Sequence, residues 1–208
     1  MARRVILLGD SIFDNAAYVG AGESDVSAHL RARLPPEEWV VELRAVDGAI
    51  AGDVPAQLDR GPVQPPGVFV LSAGGNDALA CIDMLSDPRQ YTIGAVLEQF
   101  YAIKEAFRRT YSSTLDRILG HALPTIACTI YNPVFEDALA QRAAEAALSV
   151  FNDVITQEAL RRRVPMIDLR LVCCDTADFA NPIEPSHQGG GRIADAIVAA
   201  VRKLDGLS

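Results

Sequence analysis

Five short apolar runs, each followed by turn residues and then an amphipathic stretch, constrain this 208-residue chain more than any other feature. The runs are Arg4–Leu8, Trp39–Val46, Val68–Ser72, Thr125–Ile130 and Met166–Leu169, and they read as strands. Between and after them, Ser24–Leu34, Val54–Leu58, Ile93–Leu119, Ala138–Arg162 and Gly190–Leu204 read as helices. In the fourth of these, Ala144, Ala147, Leu148, Phe151, Ile155 and Leu160 fall on roughly one face at helical spacing. Pro124 and Pro165 each stand just before a strand, where they end a helix without spoiling a ladder. Strands alternating with helices in this way argue for a parallel sheet covered on both faces. The expectation is a three-layer α/β/α fold with a five-stranded parallel sheet. No repeat or low-complexity linker divides the chain, so residues 1–208 are expected to form one domain.

Charge excludes one class of partner. The formal net charge is −8, whereas a nucleic-acid binder needs clustered Lys and Arg to displace counterions. The run Arg161-Arg162-Arg163 reads as the solvated end of a helix. Cys81, Cys128, Cys173 and Cys174 show neither C-x-x-C spacing nor a zinc pattern. Cys128 reads as a small core residue, and the vicinal pair as two thiols in a reducing compartment. Met-Ala-Arg-Arg followed by four apolar residues is too short for a signal-peptide core or a membrane span. A cytoplasmic protein with no membrane span is the expectation.

Chemistry concentrates where strands end. Val5–Leu8 runs into Gly9-Asp10-Ser11, which places a hydroxyl at the carboxyl edge of the sheet. The second strand leads to Asp47-Gly48-Ala49-Ile50-Ala51-Gly52-Asp53, and the third to Ser72-Ala73-Gly74-Gly75-Asn76-Asp77. Near the C-terminus comes Glu184-Pro185-Ser186-His187, then Gly189-Gly190-Gly191 and the last helix. Taken singly, each block has a plain alternative. Ser11 can cap a turn, Gly52 can be a turn residue, Asn76 can tie down its glycine-rich loop, and His187 can brace its own. His187 is nonetheless the one histidine of three expected in a loop near the cleft, with His29 and His121 on helices.

Together the four blocks resemble the SGNH hydrolases, the GDSL-type esterase and lipase superfamily. The resemblance runs from Ser11 to His187. It implies that Ser11 is the nucleophile and that Gly52, Asn76 and the Ser11 N–H form the oxyanion hole. It makes His187 the base and Glu184, three residues earlier, the acid that orients its ring. Elementary chemistry agrees: serine needs a base, and the anion formed on acyl attack needs fixed donors. In a flavodoxin-like strand order, 2-1-3-4-5, the first and third strands adjoin, and Ser11 meets Asn76 at the switch point. Glutamate at position 184 departs from the family's usual aspartate. Asp178 or Asp175 can stand in for it, or Ser11 and His187 can act as a dyad.

The function expected is a serine hydrolase, metal-independent and without a cofactor, cleaving a carboxylic ester or thioester of a small molecule through an acyl-enzyme. Ile12, Phe13, Leu79, Met84, Tyr131 and Phe135 are candidates for an apolar acyl pocket. The alternative is a catalytically weak protein of the same fold that binds a small acylated or glycosylated ligand. Further alternatives are acyl transfer, a nucleotide or phosphate binder using Gly9 and Gly189–Gly191, and a metal site built from Asp10, Asp53 and Asp77. The glycine run lacks the lysine of a P-loop.

Overall fold

The computed structural model describes residues 2–63, 65–81 and 92–206. Five strands form one parallel sheet: β1 (Arg3–Gly9), β2 (Trp39–Leu43), β3 (Gly67–Ser72), β4 (Thr125–Cys128) and β5 (Met166–Ile167). Their order is β2-β1-β3-β4-β5, as the sequence predicts. The helices are α1 (Val26–Arg33), α2 (Val54–Leu58), α3 (Gly75–Leu79), α4 (Ile93–Leu119), α5 (Ala138–Arg161), α6 (Leu169–Val172) and α7 (His187–Asp205).

The strands are apolar on both sides because both faces are covered. Val5, Leu7, Val68, Val70 and Ile126 point to the face covered by α1 and α7. Ile6, Leu8, Phe69, Leu71 and Ala127 point to the other, against α2, α4 and α5. Alternation along each strand thus feeds two cores at once.

Helix ends follow side-chain caps. Asp25, Thr92, Asp137 and Ser186 accept the backbone N–H three residues on, opening α1, α4, α5 and α7. The Ser186 cap starts α7 three residues before the expected Gly190. His187 is therefore the first residue of a helix, not a loop residue. Gly189 and its neighbours lie inside that helix, where a Cβ on Gly189 would stand 2.1 Å from the Asp178 carbonyl oxygen. The glycines serve close packing of α7 on the preceding loop and α1.

Three strands stop earlier than the apolar pattern suggests: β2 at Leu43, β4 at Cys128 and β5 at Ile167. Beyond Cys128, Ile130 is paired by a side chain: Asn152 of α5 accepts from the Ile130 N–H and donates to its carbonyl, both at 2.8 Å. β5 ends when Asp168 caps α6. Asn152 is buried and stands in for a missing strand at the cleft edge. Its replacement by alanine orphans both Ile130 groups. Asn152→Ala is expected to cost about 2–6 kcal/mol in urea unfolding, at about 1–3 kcal/mol for each of the two buried groups left unpaired.

Candidate active site

β1 lies between β2 and β3, and its carboxyl end is held from both sides. Gly9 has φ +128°, and a Cβ there would lie 1.6 Å from the Ser72 carbonyl oxygen, so only glycine fits. Buried Gln57 of α2 accepts from the Gly9 N–H (2.8 Å) and donates to its carbonyl (2.7 Å). Asp10 N–H donates to Ser72 O, and the Asp10 carboxylate accepts from Ile12 N–H. The chain turns sharply, and Ser11 faces the cleft at 8% exposure.

The second and third blocks are tied to each other. Asn76 Nδ2 donates to Ala49 O at 3.0 Å, and Asp77 Oδ2 accepts from Ala51 N–H at 2.8 Å. Gly52 follows in a short 3₁₀ turn (Ala51–Asp53) and is exposed. Asn76 and Ser11 both line one cavity. An amide nitrogen carries two N–H donors, so Asn76 keeps one for a ligand after bonding Ala49. Asp10, Asp53 and Asp77 each receive a different backbone amide. Among the described residues no group of three or more His, Cys, Asp or Glu side chains is arranged to hold a metal ion.

In the fourth block the side chains are arranged differently from the expected triad. Ser11 Oγ donates to Glu184 Oε1 at 3.0 Å. His187 makes no hydrogen bond to Ser11. Its Nδ1 lies 3.0 Å from Ser24 N and 3.1 Å from His29 Nε2, and the two imidazoles stack with centroids 4.4 Å apart. The Ser186 cap starts α7 and directs the His187 side chain toward α1. Glu184 therefore does not orient the His187 ring. It sits beside the Ser11 hydroxyl itself. Three residues before it, Asn181 Oδ1 accepts from the Ile183 and Glu184 N–H groups, each at 3.0 Å. Asn181 and Glu184 stand at the same three-residue separation as Glu184 and His187. Asp175 and Asp178 do not substitute for Glu184 at Ser11: both pair with Arg192.

The loop carrying Glu184 is fastened throughout. Buried Asn15 donates to Pro185 O, Tyr131 OH to Ile183 O, and Val134 N–H to Pro182 O. Asn15 and Asn181, neither flagged by the motifs, are thus the residues that fix the fourth block. For Asn181 the available signal was a polar side chain beside Pro182 and Pro185.

Burial dominates the electrostatics. It pushes Glu184 up to about 7, against a lowering by the Ser11 hydrogen bond and with a further rise from Asp47. Burial likewise raises Asp10 to about 7. The Ile12 N–H opposes this, and the charges of Glu184 and Asp77 add to it. Asp77 is raised by burial. Glu184 Oε2 is buried with no hydrogen-bond partner among the described residues.

The cavity in front of Ser11 has a volume of about 550 Å³. Ile12, Leu79, Tyr131 and Phe135 line it, as expected, together with Phe100, Ile103, Leu148 and Phe151 from α4 and α5. A stripe of small residues on α5, Ala140, Ala143, Ala144 and Ala147, leaves the space open. Phe13 is instead fully buried in the core against α1 and α7, and Met84 lies outside the described residues.

The sequence model of the GDSL-like lipase/acylhydrolase family matches residues 7–191. The chain belongs to that family. It is an ester-hydrolysing enzyme of the GDSL type. No curated protein sequence matches it. Among solved structures it is similar to the lipase Lip_vut3 from a goat rumen metagenome, with TM-score 0.72 and 18% identity over 96% of this chain and 97% of that one. It is also similar to an extracellular lipase from Streptomyces rimosus, with TM-score 0.67 and 20% identity over 96% and 100% of the two chains. Phospholipase A1 from Streptomyces albidoflavus NA297 aligns with TM-score 0.66 and 15% identity over 95% and 98%. These likenesses show the fold. Among the described residues no helix is long and apolar enough to cross a membrane.

The raised acids set a stability profile. The Asp10 carboxyl rises from 3.8 unfolded to about 7 folded, so between those values the native state holds more protons. The Asp10 contribution to stability is then fully present below about pH 4 and is lost as pH rises through 7. Asp10→Asn keeps an acceptor for Ile12 and removes the charge. Its gain over wild type is expected to be about 2–4 kcal/mol larger at pH 8 than at pH 4, read by thermal or urea unfolding.

Proposed function

We propose that the enzyme cleaves carboxylic esters of apolar acyl groups through an acyl-enzyme on Ser11. The observation that carries this reading is a half-open apolar cavity of about 550 Å³ whose polar end holds Ser11 and Asn76 together. The acyl chain lies along the alanine stripe of α5, and the scissile carbonyl sits over Ser11. Asn76 Nδ2, with the Gly52 and Ser11 N–H groups, receives the oxyanion. Donors fixed before the reaction stabilise the anion without reorganising. Asn76 is fixed by Ala49 O, and the turn bearing Gly52 by Asp77. The small molecule consumed is an ester, with a thioester as a second substrate of the same chemistry, in the cytoplasm and without metal or cofactor.

A fluorophosphonate probe tests this directly. Wild type is expected to label at Ser11 and Ser11→Ala not to label. Absence of both labelling and p-nitrophenyl ester turnover in wild type overturns the reading. Asn76→Ala is expected to lower kcat by about 10²–10³-fold, the usual effect of losing one oxyanion donor. Across a p-nitrophenyl ester series, kcat/KM is expected to rise from acetate to octanoate. Filling the stripe with Ala144→Leu is expected to reverse that preference.

A further inference from the structure

We infer that Glu184 is the general base that activates Ser11, so that the enzyme works with a serine–carboxylate pair and no catalytic imidazole. The inference rests on the Ser11 acyl-enzyme reading and identifies its proton acceptor.

Geometry comes first. A base must lie within hydrogen-bond reach of the proton it takes, and Glu184 Oε1 is 3.0 Å from Ser11 Oγ. No imidazole competes for that proton. His187 is bonded to Ser24 and His29, His29 is bonded to Arg33, and His121 packs on Phe69. The carboxylate is held by its backbone and not by a cation: Asn181 receives its N–H, and its own carbonyl accepts from Ala180 N–H. Its second oxygen is buried with no partner among the described residues.

The surroundings make this carboxylate basic. The titratable groups facing Glu184 are Asp10 after β1, Asp47 after β2, Tyr131 after β4, and Tyr18 in the loop before α1. None supplies positive charge, and both aspartates repel the ionised form. An ordinary carboxylate is too weak a base for a serine hydroxyl. One raised to about 7 matches the operating range of histidine.

The proton balance is complete. As Ser11 Oγ bonds to the ester carbonyl carbon, its proton passes to Glu184 Oε1. The tetrahedral oxyanion collapses, the carbon–oxygen bond to the alcohol breaks, and that oxygen takes the proton from Glu184. Water then attacks the acyl-enzyme, giving its proton to the same carboxylate. Breaking of the acyl–Oγ bond returns that proton to Ser11.

Steady-state kinetics on a p-nitrophenyl ester, with fluorophosphonate labelling rates, test the assignment. Wild-type kcat/KM is expected to rise with pH, reach half its maximum near pH 7, and stay flat above. Glu184→Gln is expected to lose about 10²–10⁴-fold in kcat and in labelling rate, with KM little changed and the inflection gone. Glu184→Ala is expected to regain activity when formate is added, a response that a merely structural residue does not give. Asp10→Asn is expected to keep the inflection and move it to lower pH, because Glu184 then ionises beside a neutral neighbour. His187→Gln is expected to stay within about threefold of wild type. Wild-type labelling at Ser11 with undiminished labelling of a folded Glu184→Gln protein overturns the inference alone. Loss of labelling in His187→Gln, with Glu184→Gln retained, restores the imidazole as base. No labelling of Ser11 in wild type overturns both the inference and the acyl-enzyme reading beneath it.

Discussion

The structure depends on how β1 ends. A strand between two others in a parallel sheet has its backbone groups paired on both sides, and its last residue must release the chain into the cleft without orphaning them. Gly9 does this at φ +128° against the Ser72 carbonyl, where a side chain has no room. Gln57 then completes the pairing from α2, as Asn152 does for Ile130 on the far side of the cleft. Two buried amide side chains therefore replace strand neighbours where the sheet opens. Ser11 sits on the turn that the first of them secures, so its placement at the cleft is a by-product of satisfying backbone hydrogen bonds.

A large part of this was legible in the sequence. The five apolar runs gave the strands, and their alternation with amphipathic stretches gave the layers; the order β2-β1-β3-β4-β5 was expected by likeness to a flavodoxin-like sheet. Ser11 and Asn76 were legible only jointly, because four blocks follow strand ends in the order that the GDSL-type hydrolases show. In the fourth block the observed contacts differ from the expectation for a physical reason. Histidine carries the stronger prior as a base, so Glu184-Pro185-Ser186-His187 was aligned on its histidine. Ser186, however, caps α7 and carries His187 into the helix toward His29. The capping signal was local and the catalytic prior was global. The Asn15 contact that helps to decide between them spans 170 residues and leaves no periodicity to read.

Replacing an imidazole by a carboxylate changes what the protein must supply. A histidine base is nearly matched to neutral pH in water and needs an acid mainly to orient its ring. A glutamate base must be made basic, and the means are burial and like charge. Both are present at Ser11, where Asp10 and Glu184 share one water-poor corner with no cation between them. The family's orienting acid becomes unnecessary in that arrangement. A second negative charge at position 181 would compete with Glu184, and the neutral Asn181 instead fixes the loop by accepting two backbone N–H groups.

Such a site opposes stability. Each buried acid ionised at neutral pH lowers the folding free energy by the work of desolvating it, and the two together repel. The surrounding fold offsets this with rigidity: the Glu184 loop is fastened by Asn15, Tyr131 and Asn181, and Asp10 by Ile12 N–H. Rigidity also serves catalysis. A loose glutamate would swing toward water, lower its pKa and lose its contact with Ser11. The hydrogen bonds that keep the loop from relaxing are therefore the same ones that keep the base strong.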